Sequence, residues 1–361
     1  MDTAKTYEKA EIKKLPNAEV EISVTISGET LGSLKENVLE TLSKTLEIDG
    51  FRKGKAPKDV VAKHVGDATL LKETAERALQ SAYPHILIDE KIDAIGYPRI
   101  QITKLAWGNP LLATLRTAVV PEVTLPDYKK IADKHYKEHG GGVYSASEKE
   151  INDVLLEIRK GKAHSDWHQA HPDEKDHGNH PDFSKEENLP ILDDTFAALM
   201  GPFKTVDELK EQIKKNIAKE KEMKDEEKNR IALFDEIIDK TKAEIPNVLV
   251  ESELAKMIGG LKDDVARAGV SFEDYLKEIK KTEEDIRTEW RVGAEKRAKL
   301  QLVMNEIAKK ENITPDQNIV EAEVKKLTDL YKDADPERAR IYVETTLINE
   351  GVVKLLTKKP E

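Results

Sequence analysis

Residues 50–57 read Gly50-Phe51-Arg52-Lys53-Gly54-Lys55-Ala56-Pro57, residue types suited to holding an anion. Arg52, Lys53, Lys55, Lys58 and Lys63 face Asp59 as the nearby acid, although the whole chain carries a net charge of −11. Gly50 and Gly54 permit left-handed backbone, and Pro57 stops a helix from running back into the turn. Phe51 is an apolar side chain where a solvated turn needs none. Two readings stand on residue chemistry: a tip for a surface of phosphates with a shallow apolar notch, or a solvated loop with Phe51 folded into its own domain. A phosphate-binding P-loop fits worse, because Gly54-Lys55 is followed by Ala56 rather than Ser or Thr, and a helix rather than a strand precedes it.

Histidine supplies the other candidate chemistry. His164, His168, His171, His177 and His180 lie among Asp166, Asp173 and Asp176, which are ligand types for zinc or nickel. Residues 164–188 also hold two prolines and no periodicity, so the expectation is a solvated spacer loop without a metal. His135 and His139 beside Gly140-Gly141-Gly142 mimic an esterase oxyanion strand. No Gly-x-Ser-x-Gly elbow accompanies them, and no chemistry is assigned to them. With no cysteine in the chain, disulfides, thiolate metal sites and cysteine nucleophiles are excluded.

The elements that must position the basic tip are legible around it. Val20, Ile22, Val24 and Ile26 alternate as in a half-buried strand. Leu31, Leu34, Val38, Leu42 and Leu46 follow helical spacing, as do Leu79, Tyr83 and Ile86 beyond the tip. Ile100 and Ile102, then Leu111, Ala113, Leu115, Thr117 and Val119, alternate again. Strands flanking a helix-loop-helix predict an α+β domain over residues 1–115. A linker with one helix, begun by the capping pair Ser147 and Glu150, fills 116–163. The spacer occupies 164–188.

From Leu189 onward the chain reads as helices. Thr205 with Glu208, Ser271 with Asp274, Thr282 with Asp285, and Thr314 before Pro315 mark their starts. Narrow stripes run through Val206, Leu209, Ile213 and Ile217, through Ile231, Phe234 and Ile238, through Leu254, Met257 or Ile258, Leu261 and Val265, and through Ile341, Thr345, Ile348, Val352 and Leu355. Such seams predict an elongated all-α domain of paired arms over 189–361. Charged residues make up 36% of the chain and aromatics 5%, in keeping with solvated helices. Residues 1–115 hold 16 basic and 17 acidic side chains and the remainder 43 and 53, so general nucleic-acid binding is disfavoured and any RNA contact is local. No apolar run reaches the roughly 18 residues of a membrane span, and the polar stretch from Met1 to Lys14 does not read as a signal peptide. Cytoplasmic placement is expected.

The octapeptide from Gly50 to Pro57 resembles the ribosome-binding signature of the trigger factor family, Gly-Phe-Arg-x-Gly-Lys-x-Pro, at all six of its fixed positions. Pro121-Glu122-Val123 is similar to the family's exit into its linker. Residues 189–215, Ile245-Pro246-Asn247-Val248-Leu249-Val250-Glu251 and 269–313 resemble its C-terminal domain. The resemblance implies an ATP-independent bacterial chaperone that assists folding and export. Its ribosome-binding residues would be Gly50, Phe51, Arg52, Lys53, Gly54, Lys55 and Pro57, docked at the exit tunnel against a ribosomal protein and rRNA. Nascent or unfolded polypeptides would be its clients, with Met257, Ile258, Leu261 and Met304 as candidate lining. No cofactor and no membrane partner are implied, and a homodimer off the ribosome fits the pattern. Members usually carry an FKBP-type prolyl isomerase domain between linker helix and arms. The 25 residues of 164–188 are too few for one, since domains run to 50 residues or more. The expectation is a chaperone without isomerase activity. The alternatives are a ribosome-independent chaperone or assembly factor, and a member that retains the isomerase.

Overall fold

The computed structural model describes residues 6–49, 51, 52, 54–171 and 181–358. Two compact units emerge, one from 1–126 and 240–352, the other from 127–239 and 353–361.

The first unit begins with a four-stranded antiparallel sheet in the order β1-β2-β4-β3, formed by β1 (Lys9–Leu15), β2 (Glu19–Ile26), β3 (Ala94–Lys104) and β4 (Leu111–Val119). Register places Val20 opposite Thr117, Ile22 opposite Leu115, Val24 opposite Ala113 and Ile26 opposite Leu111. Because side chains alternate across the pleat, these pairs share one face. That face is buried against Leu31 of α1 (Gly28–Thr45) and against Ala75, Ala78, Leu79, Ala82 and Ile86 of α3 (Asp67–Asp89). Three alanines on α3 keep its backbone close to the sheet. On the opposite face Arg116 donates to Glu21 at 2.7 Å. Gly28 admits no side chain, since a Cβ there would meet the Gly108 carbonyl carbon at 2.9 Å.

The same unit continues with α8 (Asn247–Arg267), α9 (Phe272–Ile279), α10 (Glu283–Lys310), α11 (Gln317–Leu330) and most of α12 (Pro336–Thr357). Val250 and Leu254 of α8 pack on Ala294 of α10. Glu251 accepts from Arg287 at 3.1 Å and from Arg291 at 2.7 Å across the same pair of helices. Gln301 and Asn349 exchange amide hydrogen bonds at 3.2 and 3.1 Å, joining α10 to α12. The start of this helical part is tied to the sheet by a backbone bridge between Thr124 and Lys242 and by the Ala18 N–H donating to Glu244 at 3.1 Å.

The second unit contains α4 (Tyr128–His139), α5 (Glu148–Ala170), α6 (Asp194–Met200) and α7 (Val206–Lys240). Ile151 and Leu155 of α5, Phe196 and Ala197 of α6, and Leu209 and Ile213 of α7 form its core. Ser147 and Glu150 make the expected capping box, and Lys221 of α7 binds the same carboxylate at 2.7 Å.

Several sequence expectations need correction. β1 was not anticipated, because KAEIKKL offers its neighbours little more than Ala10 and Ile12; its lysines suit an edge strand. β4 runs to Val119, past the expected domain boundary at 115. Residues 128–139, read as polar linker, form α4, which buries only Tyr128, Ile131 and Ala132 and is capped by Asp127. Helix α5 continues to Ala170, so the first seven residues of the expected spacer loop are helical. The helix expected to start at Thr314-Pro315 starts after Asp316, whose carboxylate accepts from the Asn318 N–H at 2.8 Å. Ile231, Ile341 and Leu355, placed on buried seams, are exposed, while Leu233, Ile237, Val343 and Leu356 are buried. One residue along a helix turns a side chain by about 100°, enough to move it from a narrow seam into solvent.

Candidate functional site

The basic tip is the turn between α1 and α2 (Lys58–Val65). A small cluster separate from the main core holds it: Val38 and Leu39 of α1, Val61 of α2 and Leu70 of α3, with Leu46, Ile48 and Ala56 from the turn itself packed against them. Trp107 joins this cluster, donating to Asp67 at 2.9 Å, with the Lys35 ammonium 4.5 Å from its ring centre. The turn is tied by short-range backbone bonds. The Phe51 N–H donates to the Ile48 carbonyl at 3.0 Å, and the Lys55 N–H to that of Arg52 at 2.9 Å. Gly54 has φ of +76°, a left-handed conformation that L side chains avoid.

Phe51 is 42% exposed, and Arg52, Lys55 and Pro57 are exposed beside it. Neither Arg52 nor Lys55 makes an ion pair among the described residues. Lys58, by contrast, lies close enough to act on Glu40. The hydrogen bond from Lys44, then the charges of Lys44 and Lys58, hold the Glu40 carboxyl below its ordinary range. The loop thus spends its backbone and its small apolar residues on holding its own shape, and presents one ring and two unpaired cations outward. Gly50 and Lys53 of the expected signature lie outside the described residues.

The four candidate lining residues divide. Ile258 is 3% and Met304 5% exposed, so both are helix-packing core, while Met257 and Leu261 are half-buried. Sequence reasoning missed exposed apolar side chains in the last two helices, of which Ile341 at 64% and Tyr342 at 65% adjoin on α12. Tyr342 falls in none of the periodic stripes, and Ile341 falls in one that was expected to be buried.

His164 and His168 stand one helical turn apart on α5, with ring centres 4.5 Å apart, and His171 stacks on Trp167 at 4.6 Å. His177 and His180 lie outside the described residues. Among the described residues no group of three or more His, Asp or Glu side chains is placed to hold a metal. Beyond α5, Arg159 donates to the Pro190 carbonyl at 2.8 Å and pairs with Glu186 at 2.6 Å, linking the helix to the lead into α6. Residues 164–188 contain no strand among those described.

An α+β module bearing a basic helix-loop-helix tip, together with long amphipathic helices that leave apolar side chains in solvent, is an arrangement suited to a multidomain chaperone. Family models agree. Residues 8–155 match the bacterial trigger factor protein and residues 205–358 match the bacterial trigger factor C-terminus. The chain belongs to the trigger factor family, and its role is that of a chaperone. The trigger factor of Clostridium kluyveri is 24% identical, over 96% of this chain and 97% of its own. That of Clostridium botulinum is 25% identical, over 94% and 96%. The first alignment extends over 418 positions, more than the 361 residues present here, so the relative has residues without a counterpart in this chain. A solved structure from work on promiscuous substrate recognition in folding and assembly activities of the trigger factor chaperone covers 97% of this chain and 99% of its own, with a TM-score of 0.52 and 17% identity, a likeness of fold. No helix among the described residues is long and apolar enough to cross a membrane.

Proposed function

We propose that this chain is an ATP-independent cytoplasmic chaperone that docks on the ribosome through the 50–57 tip and shelters nascent polypeptides near the exit tunnel. The observation that carries the reading is the exposed Phe51 flanked by the unpaired Arg52 and Lys55 on a turn that has its own supporting core. The ring would enter an apolar notch while the cations meet rRNA phosphates. A pre-shaped turn loses little conformational freedom on binding. Clients would be held on dispersed apolar side chains such as Ile341 and Tyr342, weakly enough that burial inside the folding client competes. Co-sedimentation with ribosomes tests the anchor. A Phe51, Arg52, Lys53 triple-alanine variant should remain in the supernatant while keeping its circular dichroism. Equal pelleting of variant and parent would favour a ribosome-independent chaperone.

The chain would also act without prolyl isomerisation. Supporting this, the family models leave 156–204 unmatched, and an isomerase built as a sheet around a helix does not fit within 25 residues that include the end of α5. A proline tetrapeptide assay with micromolar protein should proceed at the buffer rate; clear acceleration would restore the enzymatic reading.

A further inference from the structure

Within the second unit, α4, the glycine turn after it, α7 and the end of α12 enclose a cleft of about 450 Å³. Its walls are specifically built. A Cβ on Gly140 would strike the Tyr136 carbonyl oxygen at 2.5 Å, so this glycine lets the chain fold closely over the end of α4. The Tyr144 hydroxyl donates to Asp225 at 2.6 Å, and Asn229 donates to the same carboxylate at 3.0 Å and to the His139 carbonyl at 3.4 Å. These bonds fasten the turn to α7.

Two pairs of potential ligands line this cleft. His135 and His139 stand one turn apart on α4, with ring centres 4.7 Å apart. His135 Nε2 is buried without a hydrogen-bond partner, a costly state for a polar atom. Glu222 and Glu226 stand one turn apart on α7, and neither has an ion-pair partner among the described residues, whereas Lys221, Lys224 and Arg230 around them pair with Glu150, Glu220 and Glu227. Tyr144 registers the negative field. Its hydrogen bond to Asp225, then lost hydration and the charges of Asp225, Glu222 and Glu226, push its hydroxyl up to about 12. Imidazoles one turn apart on a helix form a chelating pair, and metal sites between helices recruit carboxylates from the facing helix.

We infer that His135 and His139 form a bidentate site for a divalent transition-metal ion of the imidazole-preferring class, with Glu222 and Glu226 neutralising its charge from α7. As the side chains stand, three ligands do not converge, so the imidazoles anchor the ion and the carboxylates swing in or act through water. The bound ion would give His135 Nε2 its missing partner and clamp the end of α4 to α7.

Zn²⁺ is the probe, titrated calorimetrically into the full chain with His164, His168, His171, His177 and His180 changed to Asn, so that the α5 histidines and those after them contribute nothing. One equivalent should bind and raise the melting temperature. His139→Ala, at an exposed position, should keep the circular dichroism and weaken binding by roughly tenfold or more, since even an outer-shell partner of a metal ligand is worth that much. Glu222→Gln with Glu226→Gln should weaken it less. Absence of saturable heat in the five-Asn background, or heat that His139→Ala leaves unchanged, would overturn the site.

Discussion

Phe51 and Arg52 contribute little to the stability of the fold, because both project from a turn whose packing is done by Leu46, Ile48 and Ala56. Phe51→Ala should therefore shift unfolding free energy by no more than about 0.5 kcal/mol, the usual range for surface positions, while weakening ribosome association severalfold. Arg52→Ala should reduce the steepness with which that association falls with salt by about one unit of log–log slope, as expected for the loss of one phosphate contact. Gly54→Ala acts on the same tip by another route. Its Cβ would meet only ordinary contacts, but left-handed backbone costs an L residue roughly 1–2 kcal/mol, so the turn should reshape and binding fall while the domain stays folded. Binding isotherms at several salt concentrations, alongside urea denaturation, check all three.

Helices here are set by their ends as much as by their stripes. The Ser27 hydroxyl accepts from the Thr30 N–H at 3.0 Å at the start of α1, and Ser27→Ala should cost about 1 kcal/mol in denaturant unfolding. Glu150 joins α5 to α7. The Lys221 hydrogen bond, then those from the backbone and hydroxyl of Ser147, lower its carboxyl from 4.5 to about 2. Since the folded value lies below the unfolded one, the stabilisation is complete above pH 4.5 and is lost as pH falls through about 2. A carbon-detected NMR titration should show this, and Lys221→Ala should move the midpoint back toward the ordinary range. Capping pairs such as Ser147 with Glu150 and Thr282 with Asp285 were legible in the sequence because they act over three residues. Edge strand β1 and helix α4 were not, since each buries too few apolar side chains to print a period; β1 is held by its hairpin pairing with β2.

Across the whole molecule, the division between core and solvent-exposed surface separates residues of similar type. Ile258→Ala should destabilise by about 2–5 kcal/mol, because Ile258 is 3% exposed and its loss leaves a cavity. Ile341→Ser with Tyr342→Ser should leave unfolding nearly unchanged and reduce the ability to keep an unfolded client from aggregating; light scattering with a denatured test protein measures it. Composition and seam spacing assigned Ile258 and Ile341 alike to amphipathic helices. The sequence by itself determined the basic tip, the helix starts at Ser147, Ser271 and Thr282, and the alternation that makes β2 and β4 strands, because these depend on local residue types and short spacings. Only the tertiary structure decided which apolar side chains remain in solvent, how far α5 extends, and that His135, His139, Glu222 and Glu226 line one cleft. Those outcomes depend on contacts between segments distant in the chain, such as the Asn229 amide on the His139 carbonyl 90 residues earlier, which no local periodicity records.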